Sequence, residues 1–422
     1  MKLKFFFAAF AATAMSAFAN DEVVIANEND AAEAITLTAP ADEEFGFSTL
    51  SNNETLMAGK PADGHRLEEW SKVQKPTVKF GGYIIGKYAW DSRDAETPNI
   101  QDGFNLRLVR LYVDGYLFRD FKYRVQLEVN GTPHVKDATL EWVHWKQFSI
   151  KAGQFKRAFT FEDPYNPFDV GVGDYSQLVK KLSGFSDRNA SYKNAEGKTA
   201  YAETTSNGGR DLGIQFQGDV LPVGKDKHNL IHYQVGVYNG QGINTWDVDK
   251  KKDFMGTIQF QPVKNLYIGA FGWKGTIGVR ENGLIRSTDR NRFDVGVKYE
   301  SDWTVRAEYA RSWGYKLDDY VLNGASTGYE VKTSAAALGK EADAFYATVG
   351  IPCAKWLKAY VKYDLYRDYA SSDFMNSIYT AALNFKFNKN LYFQAQYNFV
   401  DGKKYDTHTK YSQLWAQMYV RF

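Results

Sequence analysis

The sequence predicts an all-β fold, a transmembrane antiparallel β-barrel of about sixteen strands with short periplasmic turns and long extracellular loops. Three observations lead to this prediction: an N-terminal secretory signal, a long series of segments in which apolar and polar residues alternate, and connections that alternate between short and long. A mean hydropathy of −0.47 is too polar for a bundle of membrane helices. An aromatic content of 16% also excludes a disordered chain.

The N-terminus has the pattern of a secretory signal. Lys2 and Lys4 precede an apolar run over residues 5–15 that is too short to span a bilayer, and Ala17-Phe18-Ala19 supplies the small residues that signal peptidase requires. We therefore predict a signal peptide over residues 1–19, cleaved after Ala19; a buried core helix is the alternative. Export together with a barrel predicts the outer membrane of a Gram-negative bacterium.

An acidic segment follows the predicted signal. Residues 20–59 contain nine Asp or Glu and no Lys or Arg, so the chain beyond them holds 50 basic and 41 acidic residues, a net charge of +9. Because residues 20–75 show no sustained period, we predict an acidic periplasmic leader. Within it Leu67, Trp70 and Val73 recur every three residues, which fits either one short helix or an ordered linker.

From Thr77 onward the pattern has a period of two, which is typical of strands with one apolar face. Near the C-terminus, for example, Leu414 and Ala416 alternate with Gln413 and Trp415. These segments assign residues 76–422 to the barrel. Sixteen of them are found, at residues 77–90, 104–119, 121–130, 136–145, 147–155, 208–222, 228–239, 252–262, 265–275, 290–301, 303–314, 343–351, 355–367, 376–387, 391–400 and 411–422.

The connections between these segments are sorted by length. An antiparallel meander with short turns at one end and long loops at the other is typical of an outer-membrane barrel with both termini in the periplasm. The predicted short connections are residues 119–120, 146, 222–227, 263–264, 302, 352–354 and 388–390. The predicted long connections are residues 91–103, 156–207, 240–251, 276–289, 314–342 and 401–410.

Residues 104–161 resemble the phosphate-selective porin O/P family. The resemblance rests on Arg107 and Arg110 in a basic strand, on Asp137-Ala138 at the start of another, and on Gly153-Gln154-Phe155-Lys156 before a long loop. Further on, the segment 237–242 is similar to the family's mid-barrel hairpin. The resemblance implies a homotrimer, a long loop folded into the lumen and a bias toward anions.

The terminal Phe422 follows apolar residues at alternating positions. This ending is similar to the signal that the barrel-assembly machinery reads, so that machinery is an expected partner. The lipid and lipopolysaccharide of the outer membrane are the other expected surroundings.

The connection over residues 156–207 is far longer than a turn requires, and structureless loops of this length are usually functional or disordered. We expect it to form the pore constriction, with Phe159 and Phe161 packing it against the wall; a surface loop with solvated charges is the alternative. Its basic residues are the predicted contacts for anions: Lys156, Arg157, Lys180, Lys181 and Arg188. Alternation also predicts which basic strand residues face the lumen: Arg110, Lys122, Arg124, Lys151, Arg292, Lys298, Arg306, Lys358 and Lys362.

These observations predict a water-filled diffusion channel for small solutes with weak selectivity for anions. Phosphate-specific family members line the pore with a dense arginine ladder and a lysine cluster, and no such pattern is evident here. Three alternatives stay open: a substrate-specific uptake channel, a lipase-like barrel enzyme, and an adhesin that presents residues 314–342. Phosphate or other anions are expected solutes.

The sequence carries no pattern typical of catalysis or of a cofactor. Its six His residues lack close metal-ligand spacing, and Ser186 lacks the second glycine of a nucleophile elbow. No dinucleotide or P-loop fingerprint is present. We therefore expect no enzyme activity, no cofactor, no metal and no nucleic-acid partner.

Overall fold

A computed structural model describes residues 76–95, 100, 102–118, 120–185, 191–193, 199–201, 208–281, 284–313 and 341–422. The predicted signal peptide, the acidic leader and nearly all of the 314–342 loop lie outside these residues. The three predictions made for them, and the domain limits that they set, stay predictions.

Sixteen antiparallel strands form a closed barrel in which each strand pairs with its neighbours in the chain, and the first pairs with the last. The predicted all-β barrel is confirmed. The barrel strands are β1 (Lys79–Asp91), β2 (Gly103–Phe118), β3 (Phe121–Glu128), β4 (His134–Trp145), β5 (Phe148–Lys156), β8 (Arg210–Val223), β9 (His228–Tyr238), β10 (Asp253–Val263), β11 (Leu266–Glu281), β12 (Leu284–Glu300), β13 (Thr304–Trp313), β14 (Ala342–Ala354), β15 (Leu357–Asp368), β16 (Phe374–Lys386), β17 (Leu391–Lys404) and β18 (Thr407–Arg421).

Three short elements lie in the connection between β5 and β8. They are the helix α1 (Gln177–Leu182) and a small hairpin of β6 (Ser191–Lys193) and β7 (Thr199–Tyr201). Among the residues that the structure describes, no helix combines the length and the apolar character needed to cross a bilayer.

The barrel closes where β1 meets β18. Gly82 N–H donates to the carbonyl of Phe422 over 2.9 Å, and Phe422 N–H donates back to Gly82 over 3.0 Å. A Cβ atom at Gly82 would lie 2.6 Å from the Phe422 ring, so this approach requires glycine. The C-terminal residue is therefore part of the seam that removes the sheet edge.

Burial alternates along the strands as the period of two requires. In β13, Thr304, Arg306 and Glu308 are buried inside, whereas Val305 keeps 38% of its surface exposed on the outer face. The inner face is thus polar and the outer face apolar, the arrangement of a barrel with lipid outside and water within.

Two predicted long connections are wrong. Residues 276–289 belong mostly to β11 and β12, which pair up to Glu281 and Leu284, and residues 401–410 belong mostly to β17 and β18, which pair up to Lys404 and Thr407. Both hairpins continue beyond the stretches of the sequence in which apolar residues alternate. The backbone ladder persists there although the alternation of apolar residues stops, so sequence periodicity ended these strands too early.

Candidate functional site

The connection between β5 and β8 folds into the barrel. We call residues 157–185, the first part of this connection, the constriction loop. Phe159, Leu178, Val179 and Leu182 are each completely buried, although they lie in a connection rather than a strand. Only the barrel interior offers such burial, so the loop fills part of the lumen, as the resemblance implied.

Aromatic residues attach the start of the constriction loop to the barrel wall. The Phe159 ring lies 5.5 Å from the Trp273 ring, and the Phe161 ring lies 5.0 Å from the Phe271 ring, both edge to face. Arg157 stacks over the same Trp273, with its guanidinium carbon 5.0 Å from the ring centre. Such pairs stabilise beyond their buried area.

Glu308 of β13 is the central anchor for the loop backbone. Its carboxylate accepts hydrogen bonds from Phe161 N–H over 2.5 Å and from Glu162 N–H over 3.0 Å. The Tyr346 hydroxyl donates to the same group. The three donors satisfy a carboxylate that is only 1% exposed, a site where an unpaired charge would be costly.

The short helix α1 is fixed at its N-terminus. The Ser176 hydroxyl accepts from Val179 N–H over 3.2 Å as the N-cap, and the Asp364 carboxylate of β15 accepts from Gln177 N–H over 2.9 Å. The wall thus supplies a second acceptor for the free amides of the first turn.

The segment before α1 crosses to the opposite side of the barrel. Asn384 and Gln394 donate to the carbonyl of Gly171 over 2.8 and 2.9 Å, and Arg421 pairs with Asp169 over 2.7 Å. Gly171 has φ +91°, and a Cβ atom there would lie 2.6 Å from the Tyr360 ring. Only glycine allows this approach to the wall.

The acidic residues of the constriction loop all face basic partners in or beside the wall. Asp169 pairs with Arg421, Asp174 with Arg107 and Lys180, Glu162 with Lys362, and Asp163 lies 3.9 Å from Lys156. Each described carboxylate of the loop thus has a cation beside it, and none of the four lines the open space described below.

The pKa values of two of these carboxyls differ in direction. Burial raises the pKa of Asp163 to about 7, and the nearby Lys156 only partly offsets this effect. Burial also opposes the charge of Asp174, but Lys180 and Arg107 outweigh it and hold the pKa of that carboxyl well below its usual range.

An empty space of about 1000 Å³, which includes open solvent, remains between the constriction loop and one side of the barrel. We call the inner faces of β2–β5, β8 and β9, which border this space, the open wall. We call the inner faces of β10–β18, against which the loop packs, the covered wall. Seven basic and two acidic side chains line the space: Arg110, Lys122, Arg124, Lys151, Lys156, Arg157, Arg210, Asp137 and Glu141.

Carboxylates behind this lining reduce its positive charge. Arg110 donates to Glu128 over 2.8 Å, Arg124 to Asp114 over 3.1 Å, and Arg157 pairs with Asp211 over 2.9 Å. Together with Asp163 beside Lys156, four such partners leave seven basic against six acidic groups. The excess of positive charge is small.

Four of the nine basic residues predicted to face the lumen line the open space: Arg110, Lys122, Arg124 and Lys151. The Lys151 ammonium lies 4.9 Å from the centre of the Phe155 ring. On the open wall, the cations therefore lie beside acidic or aromatic side chains of the wall itself and still line the open space.

The other five predicted lumen residues lie on the covered wall and are at most 5% exposed: Arg292, Lys298, Arg306, Lys358 and Lys362. Arg292 donates to the carbonyl of Leu182 over 2.9 Å, and Arg306 donates to that of Val170. The Lys298 ammonium lies within 5.7 Å of the rings of Phe161, Tyr165 and Tyr267. Lys358 donates to the Thr304 hydroxyl over 2.9 Å. Most of these cations hold the loop.

Of the five predicted constriction residues, two line the open space. Lys156 does so while donating to the carbonyl of Tyr165 over 2.6 Å, and Arg157 does so while its side chain is fully buried against Asp211. Lys180 pairs with Asp174, and Lys181 lies over the Tyr366 ring at 5.8 Å. Arg188 lies outside the described residues. Anion contact by these five stays a prediction.

Arg210 is a lining residue that sequence reasoning missed. It donates to Asp137 over 2.6 and 3.1 Å and follows Gly208 and Gly209, both with positive φ. Its place at the first position of β8, directly after the long connection, was the available signal. Within the described part of the chain, no group of three or more His, Cys, Asp or Glu residues is arranged to hold a metal ion.

Comparisons with known proteins agree with this architecture. Residues 82–257 match the family described as phosphate-selective porin O and P, which confirms the resemblance over that part of the chain. No curated protein matches the chain.

Among solved structures, an anion-selective porin from Comamonas acidovorans is similar at 13% identity with a TM-score of 0.58, covering 82% of this chain and 100% of that one. OmpT of Vibrio cholerae in a trimer form is similar at 13% identity and a TM-score of 0.52, with 83% and 100% covered. The outer membrane channel DcaP of Acinetobacter baumannii is similar at 12% identity and a TM-score of 0.52, with 82% and 98% covered. At these identities the likeness shows the fold.

Proposed function

We propose that this chain is an outer-membrane porin that forms a water-filled diffusion channel for small solutes, with a weak preference for anions. The observation that carries the preference is the charge around the open space, which seven basic side chains and two acidic ones line. The family match and the likeness to the anion-selective porin from Comamonas acidovorans support the same function.

The preference for anions follows from the way the loop uses its own charges. Its carboxylates lie beside Arg421, Arg107, Lys180, Lys362 and Lys156, so nearby cations offset the negative charge of the loop. An anion that enters meets the positive groups first. The preference is weak because carboxylates behind the lining cancel most of that charge, and because salt screens what remains over about 8 Å.

The test is the reversal potential of the purified protein in a planar bilayer under a KCl gradient. We expect chloride to permeate more easily than potassium, and more so at low salt, where screening is weakest. A clear preference for potassium would refute the proposal.

The assembly and its surroundings are further parts of the proposal. We expect a homotrimer, which the trimer form of the similar OmpT structure supports. We also expect removal of residues 1–19 on export and assembly through a signal that includes the terminal Phe422. In the outer membrane we expect contact with lipopolysaccharide. The mass of the native protein in detergent tests the trimer, and the N-terminal residue of the purified protein tests the cleavage.

A channel without enzyme activity is the function that the porin likeness supports. A substrate-specific uptake channel differs from a general pore by saturable block of the conductance by one solute, with phosphate as the first solute to test. A lipase-like enzyme would lose hydrolysis in a His-to-Ala series.

A further inference from the structure

Three charged residues form a row across the open wall. Lys122, Glu141 and Lys151 are direct cross-strand partners on β3, β4 and β5, so a carboxylate lies between two ammonium groups at one level of the barrel. All three line the open space. In this row, the Glu141 carboxylate places an acceptor of hydrogen bonds between two positive charges.

Glu141 is held by a chain of amides rather than by close contact with Lys151. Its Oε1 accepts from Gln217 Nε2 over 2.6 Å and from the Ser149 hydroxyl over 3.4 Å. Gln217 in turn accepts from Gln215 over 2.5 Å and from Gln234 over 3.3 Å. The orientation of the carboxylate is thus set by neighbouring strands.

Two acceptor atoms, one in this row and one on β9, are left for a solute. Glu141 Oε2 and Gln234 Oε1 accept no hydrogen bond from any residue that the structure describes, and both side chains line the open space. Among the lining cations beside them, Lys151 contributes a positive charge from the next strand.

The combination of donors and acceptors separates two kinds of anion. A fully ionised inorganic oxyanion only accepts hydrogen bonds, so it gains from the lysines but is repelled by the Glu141 carboxylate. An organic anion that carries hydroxyl groups gains from both, because its hydroxyl groups donate to Glu141 and Gln234 while its carboxylate lies near the lysines.

We propose that hydroxylated organic anions, of the sugar-acid type, are the preferred solutes of this pore, and that Glu141 recognises their hydroxyl groups. The inference rests on the proposed anion channel and names its solute class.

The experiment compares two anions of equal chain length and charge, gluconate with five hydroxyl groups and hexanoate with none. Each is added to single channels of the full chain in KCl, and the half-blocking concentration of the current is measured. We expect gluconate to block at a concentration about three to ten times lower than hexanoate, as one or two net hydrogen bonds allow. In Glu141→Leu we expect both anions to block more strongly, because a negative charge is gone, but with a ratio close to one.

Two further variants make the result decisive. Gln234→Leu keeps the charge of the row and is expected to reduce the ratio by about half or more. Asp226→Asn removes one acidic charge from an exposed turn away from the lumen and is expected to leave the ratio unchanged. All variants are first checked for insertion into the bilayer as open channels in KCl alone, and each anion is compared within one variant.

Equal block by gluconate and hexanoate in the wild type would overturn the inference, as would an unchanged ratio in both Glu141→Leu and Gln234→Leu. Failure of the anion channel itself is a separate result, since it is read from the reversal potential in KCl without either organic anion.

Discussion

The covered wall and the open wall follow one sequence pattern, but their basic residues make different contacts. Both carry basic residues at alternate positions of their strands. On the covered wall, Arg292 and Arg306 donate to loop carbonyls and Lys362 pairs with a loop carboxylate. On the open wall, Lys151 and Arg124 line the open space. The difference shows that the constriction loop, and not the strand pattern, decides which cations line the open space.

The strongest way to break this difference is to detach the loop. Glu308→Ala removes the acceptor for the buried Phe161 and Glu162 N–H groups, and leaving two buried donors unpaired costs roughly 2–6 kcal/mol of loop attachment. We expect a higher single-channel conductance with frequent transitions between levels.

Glu308→Gln is the matched control, because it keeps one acceptor oxygen of the same size. It should show a smaller effect than the alanine variant. Wild-type conductance in Glu308→Ala would mean that other contacts hold the loop without this anchor.

A change of pH tests the same attachment through Asp163. Because the folded pKa is raised to about 7 from its usual value of 3.8, the folded protein binds this proton more tightly than the unfolded chain. The stabilising contribution is complete below about pH 4 and is lost as the pH rises toward 7, by up to about 4 kcal/mol at 1.4 kcal/mol per pKa unit.

Protection of the loop from protease should therefore decrease between pH 5 and pH 7, and Asp163→Asn should flatten that part of the profile. Loop protection that rises over the same interval in the wild type, or an unchanged profile in the variant, would contradict the assignment.

The smallest expected effect comes from two single variants, each of which removes one positive charge from one wall. Because the excess of positive charge around the open space is small, Lys151→Gln should remove much of it and reduce the preference for chloride. A unit charge at close range in water corresponds to about 1 kcal/mol, or about a fivefold change in the chloride-to-potassium permeability ratio.

Lys358→Gln is the matched variant on the covered wall, where the lysine is 1% exposed and bonded to Thr304. It should leave the permeability ratio near the wild-type value. Equal shifts in both variants would mean that the two walls do not differ electrostatically.

The strands, their faces and the positions of most turns could be predicted from the sequence. Alternation is a local property: a side chain at every second position points inward, so the lumen positions of Lys151 on β5 and of Lys362 on β15 follow from counting alone. The terminal Phe422 and the even number of segments can likewise be read from the sequence without knowledge of contacts between distant residues. Prediction was wrong where strands continue beyond the apolar region, since backbone pairing needs no apolar residue.

Only the tertiary structure decided which inward residues act. Arg107 and Arg110 differ by an odd number of positions, yet both face inward, because a bulge opposite Gly86 shifts the register between Leu106 and Leu108. The path of the constriction loop depends on contacts such as that between Phe161 and Glu308, which are 147 residues apart in the chain. Such contacts join residues far apart in the chain, and they separate the cations that hold the loop from those that line the open space.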